Sequence, residues 1–268
     1  MQDMNTRETR LTDMLDPARA SAMQAALGRG GAIAAGDALP PFYHQLYFWE
    51  ARPPGDLGRD GHPRPGRGVI PDMGLPRRMW AGGRLEFHGP LRAGEAATKT
   101  TQVESTSRKE GRSGPLAFVT LRHEIAQAGR VCVTEMQDLV YREDPGPDAV
   151  KPIPPVAPVD EESAREAQFD ATLLFRYSAL TFNGHRIHYD APYAREVEGY
   201  AGLVTHGPLL AQLLMLMAQE ELGSLKRFAF RATSPLTLPD PATLCRKGTR
   251  LWVRAPDGRQ CMQAEADV

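Results

Sequence analysis

The chain has 268 residues, a hydrophobic content of 41% and a formal net charge of −1. This length suits one large domain or two domains of roughly 100–150 residues each. Because the net charge is close to zero, no global field attracts nucleic acid or an anionic membrane. The three cysteines, Cys132, Cys245 and Cys261, lie far apart and form no CxxC pair. Their spacing argues against a disulfide framework and a structural zinc site, and it predicts reduced thiols.

The N-terminal region gives no sign of export or of membrane insertion. The first twenty residues are charged and lack the apolar core of a secretory signal. No stretch approaches the ~20 apolar residues that a membrane-spanning helix requires. We therefore expect a cytoplasmic protein.

The first predicted element is an amphipathic helix near the N-terminus. Its apolar positions recur at helical spacing, at Leu11, Met14, Leu15, Ala18 and Ala22. An aromatic stretch, LPPFYHQLYFWE, follows this helix. The loop from residue 53 to residue 76 is rich in Gly, Pro and Arg, and it is long enough to suggest a function or mobility.

The next part of the chain is predicted to form strands. Four stretches separated by glycine-containing turns have this character: GGRLEFHG, EAATKTTQVESTSRKEG, GPLAFVTLRHEIA and RVCVTEMQDLVYRE. In the third stretch Ala117, Val119 and Leu121 alternate with their neighbours along the strand. Long alternating strands that follow one another in sequence predict an antiparallel sheet.

A proline-rich segment divides the chain into two parts of similar size. It reads DPGPDAVKPIPPVAPVDEE, and its prolines favour an extended connector. We predict domains at residues 1–145 and 161–268, with a linker at 146–160. The similar sizes suggest a tandem duplication, although the sequence carries no obvious repeat.

The second part is predicted to bury one long helix against strands. Pro208 suits the first turn of a helix that begins near Gly207. A wide apolar stripe follows, made of Leu209, Leu210, Leu213, Leu214 and Met217. The stretches RFAFRATSPLTL, TRLWVRAP and RQCMQAEAD are predicted to be strands. A buried helix wrapped by an antiparallel sheet is an α+β arrangement.

The loop TFNGHRIHYD, at residues 181–190, concentrates groups that can carry or orient a proton. His188 is a candidate general base. The backbone N–H of Gly207, at the helix N-terminus, is a candidate for stabilising negative charge on a carbonyl oxygen. The alternative is that His185, His188 and His206 are ordinary structural histidines.

The segment NGHRIHYDAPYA…GLVTHGPL resembles the MaoC-like (R)-specific enoyl-thioester hydratases. The resemblance places His188 on the catalytic histidine, Asp190 on the carboxylate two residues later, and Gly207 on the glycine whose N–H binds the thioester oxygen. It places Asn183 where most of that family has a catalytic Asp, and His185 where it has Asn. Because Asn cannot act as a general base, the usual Asp–His pair is not intact.

A narrower resemblance extends from about Leu39 to the C-terminal MQAEA. The stretches GLPRRMWAGGRLEFHGPLRAGE, SRKEGRSGPLAFVTLRHEI and FRYSALTFNGHRIHYD are similar to those of 3-methylfumaryl-CoA (mesaconyl-CoA) hydratases. In this branch Asn183-x-His185 is the normal form.

The resemblance implies a double hot-dog fold, two fused units that each wrap an antiparallel sheet around a helix. It also implies addition of water to a carboxylate-bearing enoyl-CoA to give citramalyl-CoA, as in itaconate degradation. Itaconyl-CoA hydratases give the same product, and the sequence does not separate the two substrates.

The reaction assigns roles to the residues of the loop. His188 would remove a proton from water, Gly207 would polarise the thioester carbonyl, and Asn183 would hold the water. His185 is either a second catalytic group or a structural one. Asp190 either orients an imidazole or caps the following turn.

The substrate itself requires further binding groups. A free carboxylate is well matched by arginine, and the candidates are Arg77, Arg78 and Arg84, which flank Trp80, and Arg186 in the loop. Each of these arginines could instead be solvated or structural. Further predicted pocket residues are Tyr177, Ser178, Thr181, Asp190 and His206. The predicted contacts to the CoA phosphates are Lys226, Arg227 and Arg231.

Other motifs do not support a different chemistry. The histidines show no metal-ligand spacing, and the sequence has no P-loop and no nucleophile elbow. We therefore expect no metal and no cofactor, since CoA is part of the substrate. The expected partner is an acyl-CoA thioester, with no nucleic acid and no membrane, and a homodimer is possible. Two alternatives stay open: an (R)-3-hydroxyacyl-thioester dehydratase of fatty acyl or polyketide chains, and a non-catalytic acyl-CoA binding protein.

Overall fold

The structure is a computed structural model that describes residues 8–111, 114–144, 146 and 153–268. The strands within these ranges are β1 (Glu8–Met14), β2 (Arg77–Phe87), β3 (Ala96–Gly111), β4 (Gly114–Gln127), β5 (Arg130–Arg142), β6 (Ser163–Ala167), β7 (Arg227–Ala232), β8 (Ala242–Lys247), β9 (Arg250–Arg254) and β10 (Gln260–Asp267). The α-helices are α1 (Pro17–Ala26), α2 (Ala171–Leu180), α3 (Ala191–Glu196) and α4 (Gly207–Leu222).

The strands form one antiparallel sheet in the order β1-β3-β4-β5-β2-β7-β10-β9-β8-β6. In each half the first strand in sequence lies at the outer edge, and the second lies at the centre of the whole sheet. The third, fourth and fifth strands lie between them in chain order. The same connectivity therefore occurs twice, which is the repeat that the amino-acid sequence does not reveal.

The two halves meet where β2 pairs with β7, from Gly82 opposite Arg231 to Glu86 opposite Arg227. A β-carbon on Gly82 would lie 2.5 Å from the carbonyl oxygen of Phe230. This contact is too close for any side chain, so glycine permits the two strands to approach. The junction makes the two sheets continuous.

Helix α4 forms the centre of the second half, as the sequence predicts. It packs against β7, β8, β9 and β10 and also reaches β2. Leu209, Leu210, Leu214 and Met217 are at most 3% exposed, whereas Leu213 is only partly buried. Burying one such side chain stabilises the fold by about 1.5–3 kcal/mol, so this helix is a main source of stability.

The prediction that the N-terminal helix includes Leu11 and Met14 is wrong. Leu11 and Met14 lie in the edge strand β1, and the helix begins only at Pro17. The reason is local, because Asp16 caps the helix by accepting a hydrogen bond from the backbone N–H of Ala18. Helix α1 is short and packs mainly against α2 and the 3₁₀ turn at Tyr43–Leu46.

The proline-rich segment after β5 falls partly outside the described residues. Within its described part, the backbone N–H of Ala157 donates to the carbonyl oxygen of Gly258 at 2.9 Å. Ala157 also packs with Cys245 and Trp252, so this part of the segment lies along the second half. All three cysteines are free and buried, as predicted. Among the described residues, no helix has both the length and the apolar character needed to cross a membrane.

Candidate active site

A cavity of about 1270 Å³ is lined by residues from both halves of the chain. This volume exceeds the roughly 300–1,000 Å³ of typical ligand pockets. The second half contributes Asn183, His185, His188 and Gly207. The first half contributes residues of the 53–76 loop and of β2, β3, β4 and β5. The cavity therefore brings the predicted catalytic residues together against a wall from the other half.

His188 lies in a 3₁₀ turn at Arg186–His188, and its residue is 6% exposed. Its Nδ1 is 2.7 Å from the carbonyl oxygen of Val204. A carbonyl can only accept, so Nδ1 carries the hydrogen and Nε2 keeps its lone pair. His188 is therefore held in the tautomer that a general base requires.

The surroundings of His188 keep its imidazole neutral. Its ring stacks on that of His206, with centroids 3.5 Å apart and an angle of 18° between the planes. Burial, followed by the neighbouring His206 and His185, holds the pKa of His188 well below its ordinary value. At neutral pH the imidazole is therefore uncharged, and Nε2 keeps its lone pair.

Gly207 is the first residue of α4 and lies on the wall of the same cavity. The described part of the chain supplies no acceptor for its backbone N–H. A β-carbon at this position would meet only the carbonyl oxygen of Trp80, at 3.9 Å. Protein packing thus leaves open space beside a free donor at a helix N-terminus, which suits an oxyanion.

Asn183 shapes the loop that carries His185 and His188. It follows Phe182, whose φ of 51° is in the left-handed region. The Asn183 side-chain oxygen accepts a hydrogen bond from the backbone N–H of His185 at 3.0 Å. Its amide nitrogen remains as a donor toward the cavity wall that Asn183 lines.

His185 belongs to a buried hydrogen-bonded row with Glu198 and Arg77. The sequence did not predict these contacts. Its Nε2 lies 3.2 Å from Oε1 of Glu198, and Oε2 of Glu198 accepts a bond from Nε of Arg77, also at 3.2 Å. Although burial raises the pKa of Glu198, the bond from His185 and the charge of Arg77 hold it below its ordinary value. The ionised carboxylate fixes the position of the His185 ring.

A second histidine–carboxylate pair comes from the 53–76 loop of the first half. Nδ1 of His62 is 2.9 Å from Oδ2 of Asp60. The His62 ring centroid is 4.5 Å from that of His185, and His62 lines the cavity. Sequence reasoning flagged this loop as functional but did not single out either residue.

Two glycines dock this loop onto the catalytic loop. A β-carbon on Gly61 would be 2.0 Å from the carbonyl oxygen of Gly184, and one on Gly184 would be 2.8 Å from that of Gly61. The backbone N–H of Arg186 donates to the carbonyl oxygen of Asp60 at 2.9 Å. The loops therefore touch backbone to backbone, which only glycine allows.

Three further predicted residues line the cavity: Arg78, Trp80 and Thr181. Arg78 has no carboxylate within ion-pair distance in the described ranges. The indole N–H of Trp80 donates to the carbonyl oxygen of Gly82, and the Thr181 hydroxyl donates to that of Tyr177. Arg77 also lines the cavity, but it is buried and paired with Glu198 at 3.2 Å, so Arg78 is the predicted arginine whose charge is available to a ligand.

Tyr177, Ser178 and His206 lie behind the cavity wall rather than on it. The Ser178 hydroxyl is 2.8 Å from Nε2 of His206, and the Tyr177 ring centroid lies 4.9 Å from that of His206. Burial and the nearby His185 lower the pKa of His206 to about 3. These residues support the ring on which His188 stacks and do not reach the cavity.

Arg84, Arg186 and Asp190 do not line the cavity. Arg84 projects from the outer face of β2 and pairs with Asp138 at 2.6 Å. Arg186 pairs with Asp190 at 2.7 Å, and Asp190 caps α3 by accepting from the backbone N–H of Tyr193. The capping role predicted as one alternative for Asp190 is confirmed, and the structure gives no support for substrate contacts from these three residues.

Lys226, Arg227 and Arg231 also lie away from the cavity. Arg227 pairs with Asp267, and Nζ of Lys226 donates to the backbone oxygen of the C-terminal Val268. Arg231 lies on the outer face of β7, because Phe228 and Phe230 occupy the inward positions of this strand. Their position does not support the predicted contacts to CoA.

Part of the cavity wall is the polar inner face of the first-half sheet. Thr101, His123 and Glu135 lie opposite one another on β3, β4 and β5. His123 bonds to Thr101 at 2.8 Å and to Gln137 at 3.1 Å. Lys99, Thr101, His123 and Gln137 line the cavity, whereas Glu135 is fully buried behind them. These four side chains offer hydrogen-bond partners to a polar ligand, and Leu121 and Leu139 form an apolar part of the same wall.

Asp60, His62 and His185 approach one another closely enough to hold a metal ion, with donor atoms all within 4.8 Å. Both histidines already have a carboxylate partner, since His62 bonds to Asp60 and His185 bonds to Glu198. Hydrogen bonding therefore accounts for the cluster. The expectation of a metal-free site stays a prediction.

Comparisons with known proteins place this arrangement in a family. The model of the hydroxyacyl-thioester dehydratase type 2 family matches residues 42–238. The mesaconyl-C(4)-CoA hydratase of Chloroflexus aurantiacus is 45% identical over 244 residues, which covers 89% of this chain and 86% of that protein. The mitochondrial hydroxyacyl-thioester dehydratase type 2 of Schizosaccharomyces pombe is 30% identical over 250 residues, with 80% of each chain covered.

A solved structure from Mycobacterium tuberculosis, described as a double hot-dog fold, has a TM-score of 0.58 at 14% identity. The match covers 97% of this chain and 95% of that one. The predicted α+β double hot-dog fold is thereby confirmed.

The fold and the site define an enzyme of the MaoC-like hydratases and dehydratases. The chain belongs to the hydroxyacyl-thioester dehydratase type 2 family, and the predicted mesaconyl-CoA hydratase branch is supported by the 45% identity.

Proposed function

We propose that the protein adds water across the double bond of an enoyl-CoA that carries a free carboxylate. The proposed substrate is 3-methylfumaryl-CoA (mesaconyl-CoA) or itaconyl-CoA, and the proposed product is citramalyl-CoA. The observation that carries this proposal is the joint presence of the His188 Nε2 lone pair and the free Gly207 N–H in one cavity. The relative named mesaconyl-C(4)-CoA hydratase supports the choice of substrate class.

The thioester carbonyl would bind to the Gly207 N–H at the start of α4. When water attacks the β-carbon of 3-methylfumaryl-CoA, whose double bond is conjugated with the thioester, electron density moves through the α-carbon to the carbonyl oxygen. A backbone donor at a helix N-terminus stabilises this developing negative charge. Because the donor is already fixed by the fold, no reorganisation is needed at the moment of reaction.

His188 would transfer the proton. Its Nε2 takes one hydrogen from water as the oxygen bonds to the β-carbon, and the imidazolium then gives a proton to the other alkene carbon, which is the α-carbon in 3-methylfumaryl-CoA and the methylene carbon in itaconyl-CoA. The sum is one water added, with His188 returned to its neutral form. The Asn183 amide would hold the water through its remaining hydrogen-bond donor, because Asn cannot remove a proton.

Arg78 is the proposed partner of the substrate carboxylate. It lines the cavity, lies close enough to His62 to lower the pKa of that imidazole, and has no carboxylate partner among the described residues. Arginine binds a carboxylate through two parallel hydrogen bonds. Arg142 also lines the cavity, and its buried Nε has no hydrogen-bond partner among the described residues, so it is the second candidate.

The CoA phosphates would bind to a different basic group from the one that the sequence suggested. Arg52, Arg64 and Arg67 line the cavity and are exposed to solvent, where Arg52 pairs with Glu50 and Arg67 pairs with Asp56. They belong to the first half and lie in or next to the 53–76 loop. Exposed arginines on a cavity wall suit phosphates that stay partly in water.

The second candidate function is dehydration of (R)-3-hydroxyacyl thioesters of fatty acyl or polyketide chains. The family name and the Schizosaccharomyces pombe relative favour it. The polar groups of Lys99, Thr101, His123 and Gln137 favour a polar substrate in their part of the cavity, whereas the apolar lining residues Leu121 and Leu139 would also suit an aliphatic chain.

The test is to follow the conversion of 3-methylfumaryl-CoA, itaconyl-CoA, crotonyl-CoA and a medium-chain enoyl-CoA into their hydrated CoA thioesters by chromatography and mass spectrometry. We expect rapid conversion of the first or second substrate and slow conversion of the other two. Equal rates with crotonyl-CoA or the medium-chain substrate would favour the general dehydratase. Binding of all four without any conversion would contradict the proposal and leave an acyl-CoA binding protein.

A further inference from the structure

The first-half pair of Asp60 and His62 is arranged like a catalytic histidine and its orienting carboxylate. The Asp60 carboxylate only accepts hydrogen bonds, so the 2.9 Å contact assigns the hydrogen to Nδ1 of His62. Nε2 of His62 then carries the lone pair. The His62 side chain is 19% exposed and lines the cavity, whereas Asp60 does not line it.

The position of this pair relates it to the base. The His62 ring centroid is 4.5 Å from that of His185, and the His185 centroid is 5.5 Å from that of His188. Three imidazoles therefore form a continuous row along the cavity. Two of them, His62 and His188, have Nε2 as the nitrogen without a hydrogen.

The backbone contacts between the two halves fix the position of His62 relative to His185 and His188. Gly61 and Gly184 meet backbone to backbone, and the Arg186 N–H binds the Asp60 carbonyl oxygen. The two residues on either side of Gly61 are the members of the pair. A loop that merely closed the cavity would not need a histidine and a partly buried carboxylate at its contact point.

We propose that His62 contacts the attacking water and that Asp60 is its positioning residue. In this step one hydrogen of the water passes to Nε2 of His188. The other hydrogen stays covalently bonded to the oxygen and forms a hydrogen bond to Nε2 of His62. This hydrogen therefore becomes part of the hydroxyl group of the product. The catalytic loop has Asn183 where a carboxylate would otherwise act, and Asp60 contributes a carboxylate from the other half. This inference rests on the proposed hydratase function.

The test compares His62→Ala and His62→Gln with His88→Ala, a change at an exposed histidine at the end of β2. We expect both His62 variants to lose about 10²-fold in kcat, with KM little changed, since misplacing a reacting group by about 1 Å has this effect. Added imidazole should restore part of the activity of His62→Ala only. His88→Ala should behave as wild type.

Asp60→Asn gives a second and independent readout. The Asn amide can donate to Nδ1 and favour the wrong tautomer of His62, so kcat should fall while circular dichroism and Tm stay unchanged. Asp60→Glu, which keeps the carboxylate, should recover part of the rate. A purely structural role would lower Tm in step with the rate in both variants.

The outcomes separate this inference from the proposed function. If wild type hydrates none of the enoyl-CoA substrates, the proposed function fails. If wild type is active and folded His62→Ala turns over equally fast, only this inference is overturned. Loss of activity with EDTA and recovery with added Zn²⁺ would also overturn it, because His62 would then be a metal ligand.

Discussion

The two halves share one strand order but use the inner faces of their sheets differently. In the second half the inner face is apolar and wraps α4, with Phe228, Leu251, Val253 and Met262 all at most 1% exposed. In the first half part of the inner face is polar and lines the cavity. The same architecture is used once to bury a helix and once to leave room for a ligand.

This difference explains why neither half contains the whole site. The second half fixes His188 and Gly207 on a rigid, well-packed helix and its preceding loop. The first half contributes a wall, the arginines and the loop that carries His62. The polar wall is stabilised by its own hydrogen bonds, from Thr101 through His123 to Gln137. The site thus depends on the junction between the halves.

The largest expected effect is on the catalytic group of the second half. His188→Ala should lower kcat by roughly 10²–10⁴-fold, the usual range for loss of a general base. Steady-state kinetics measure the loss, and circular dichroism checks that the fold is intact. His88→Ala is the matched control, and turnover near wild type in His188→Ala would remove His188 from the mechanism.

The contrast between the two inner faces can be tested with two leucines. Leu214 is fully buried in α4, and Leu214→Ala should lower the free energy of unfolding by about 2–5 kcal/mol. Leu121 is 3% exposed and packs in a smaller buried cluster at the cavity wall, so Leu121→Ala should cost less, because it loses contacts in a smaller core. Urea denaturation measures both, and equal losses would mean that the cavity wall is as tightly packed as the core.

The carboxylate contact is tested with two arginines of one strand. Arg78→Met should raise KM for 3-methylfumaryl-CoA or itaconyl-CoA by roughly 10- to 100-fold, which corresponds to loss of a charged hydrogen bond. The KM for crotonyl-CoA should change little. Arg84→Met, on the outer face of β2, should leave both values unchanged. A KM that rises equally for all substrates in Arg78→Met would contradict a carboxylate contact.

A smaller effect is expected on the pH dependence of stability. Burial, followed by the nearby Lys99, lowers the pKa of His123 to about 3 in the folded state, whereas an unfolded histidine has a pKa near 6.5. Below about pH 6.5 the unfolded chain therefore binds more protons, and the free energy of unfolding falls as the pH falls. His123→Gln should make this fall shallower in denaturation curves at pH 7 and pH 5. An unchanged slope would contradict a neutral His123.

Local sequence patterns were sufficient for much of the fold. Strands β2 to β5 follow from alternation, and α4 follows from its apolar stripe and Pro208. The edge strands β1 and β6 and the strand β8 were not predicted. In β1 the spacing of Leu11 and Met14 suits a helix as well as a strand, and only pairing with β3 decides between them.

The residues of the candidate site also fall into two groups, those that a local sequence motif reveals and those that it does not. His188, Asn183 and Gly207 lie close together in sequence, so a contiguous motif reveals them. His62 and Arg77 lie in the other half, more than a hundred residues from the groups they meet, and no local pattern indicates the contact. The cluster Lys226, Arg227 and Arg231 shows the opposite error, because its charges are close in sequence but lie away from the cavity.

The most direct test of the central claim is to incubate the enzyme with 3-methylfumaryl-CoA and itaconyl-CoA in water labelled with heavy oxygen. We predict that the intact CoA thioester gains one labelled oxygen, located on the β-carbon, and that His188→Ala forms this product far more slowly. Release of free CoA with the label in a carboxylate would instead identify thioester hydrolysis. That result, or recovery of both unlabelled substrates, would contradict the account.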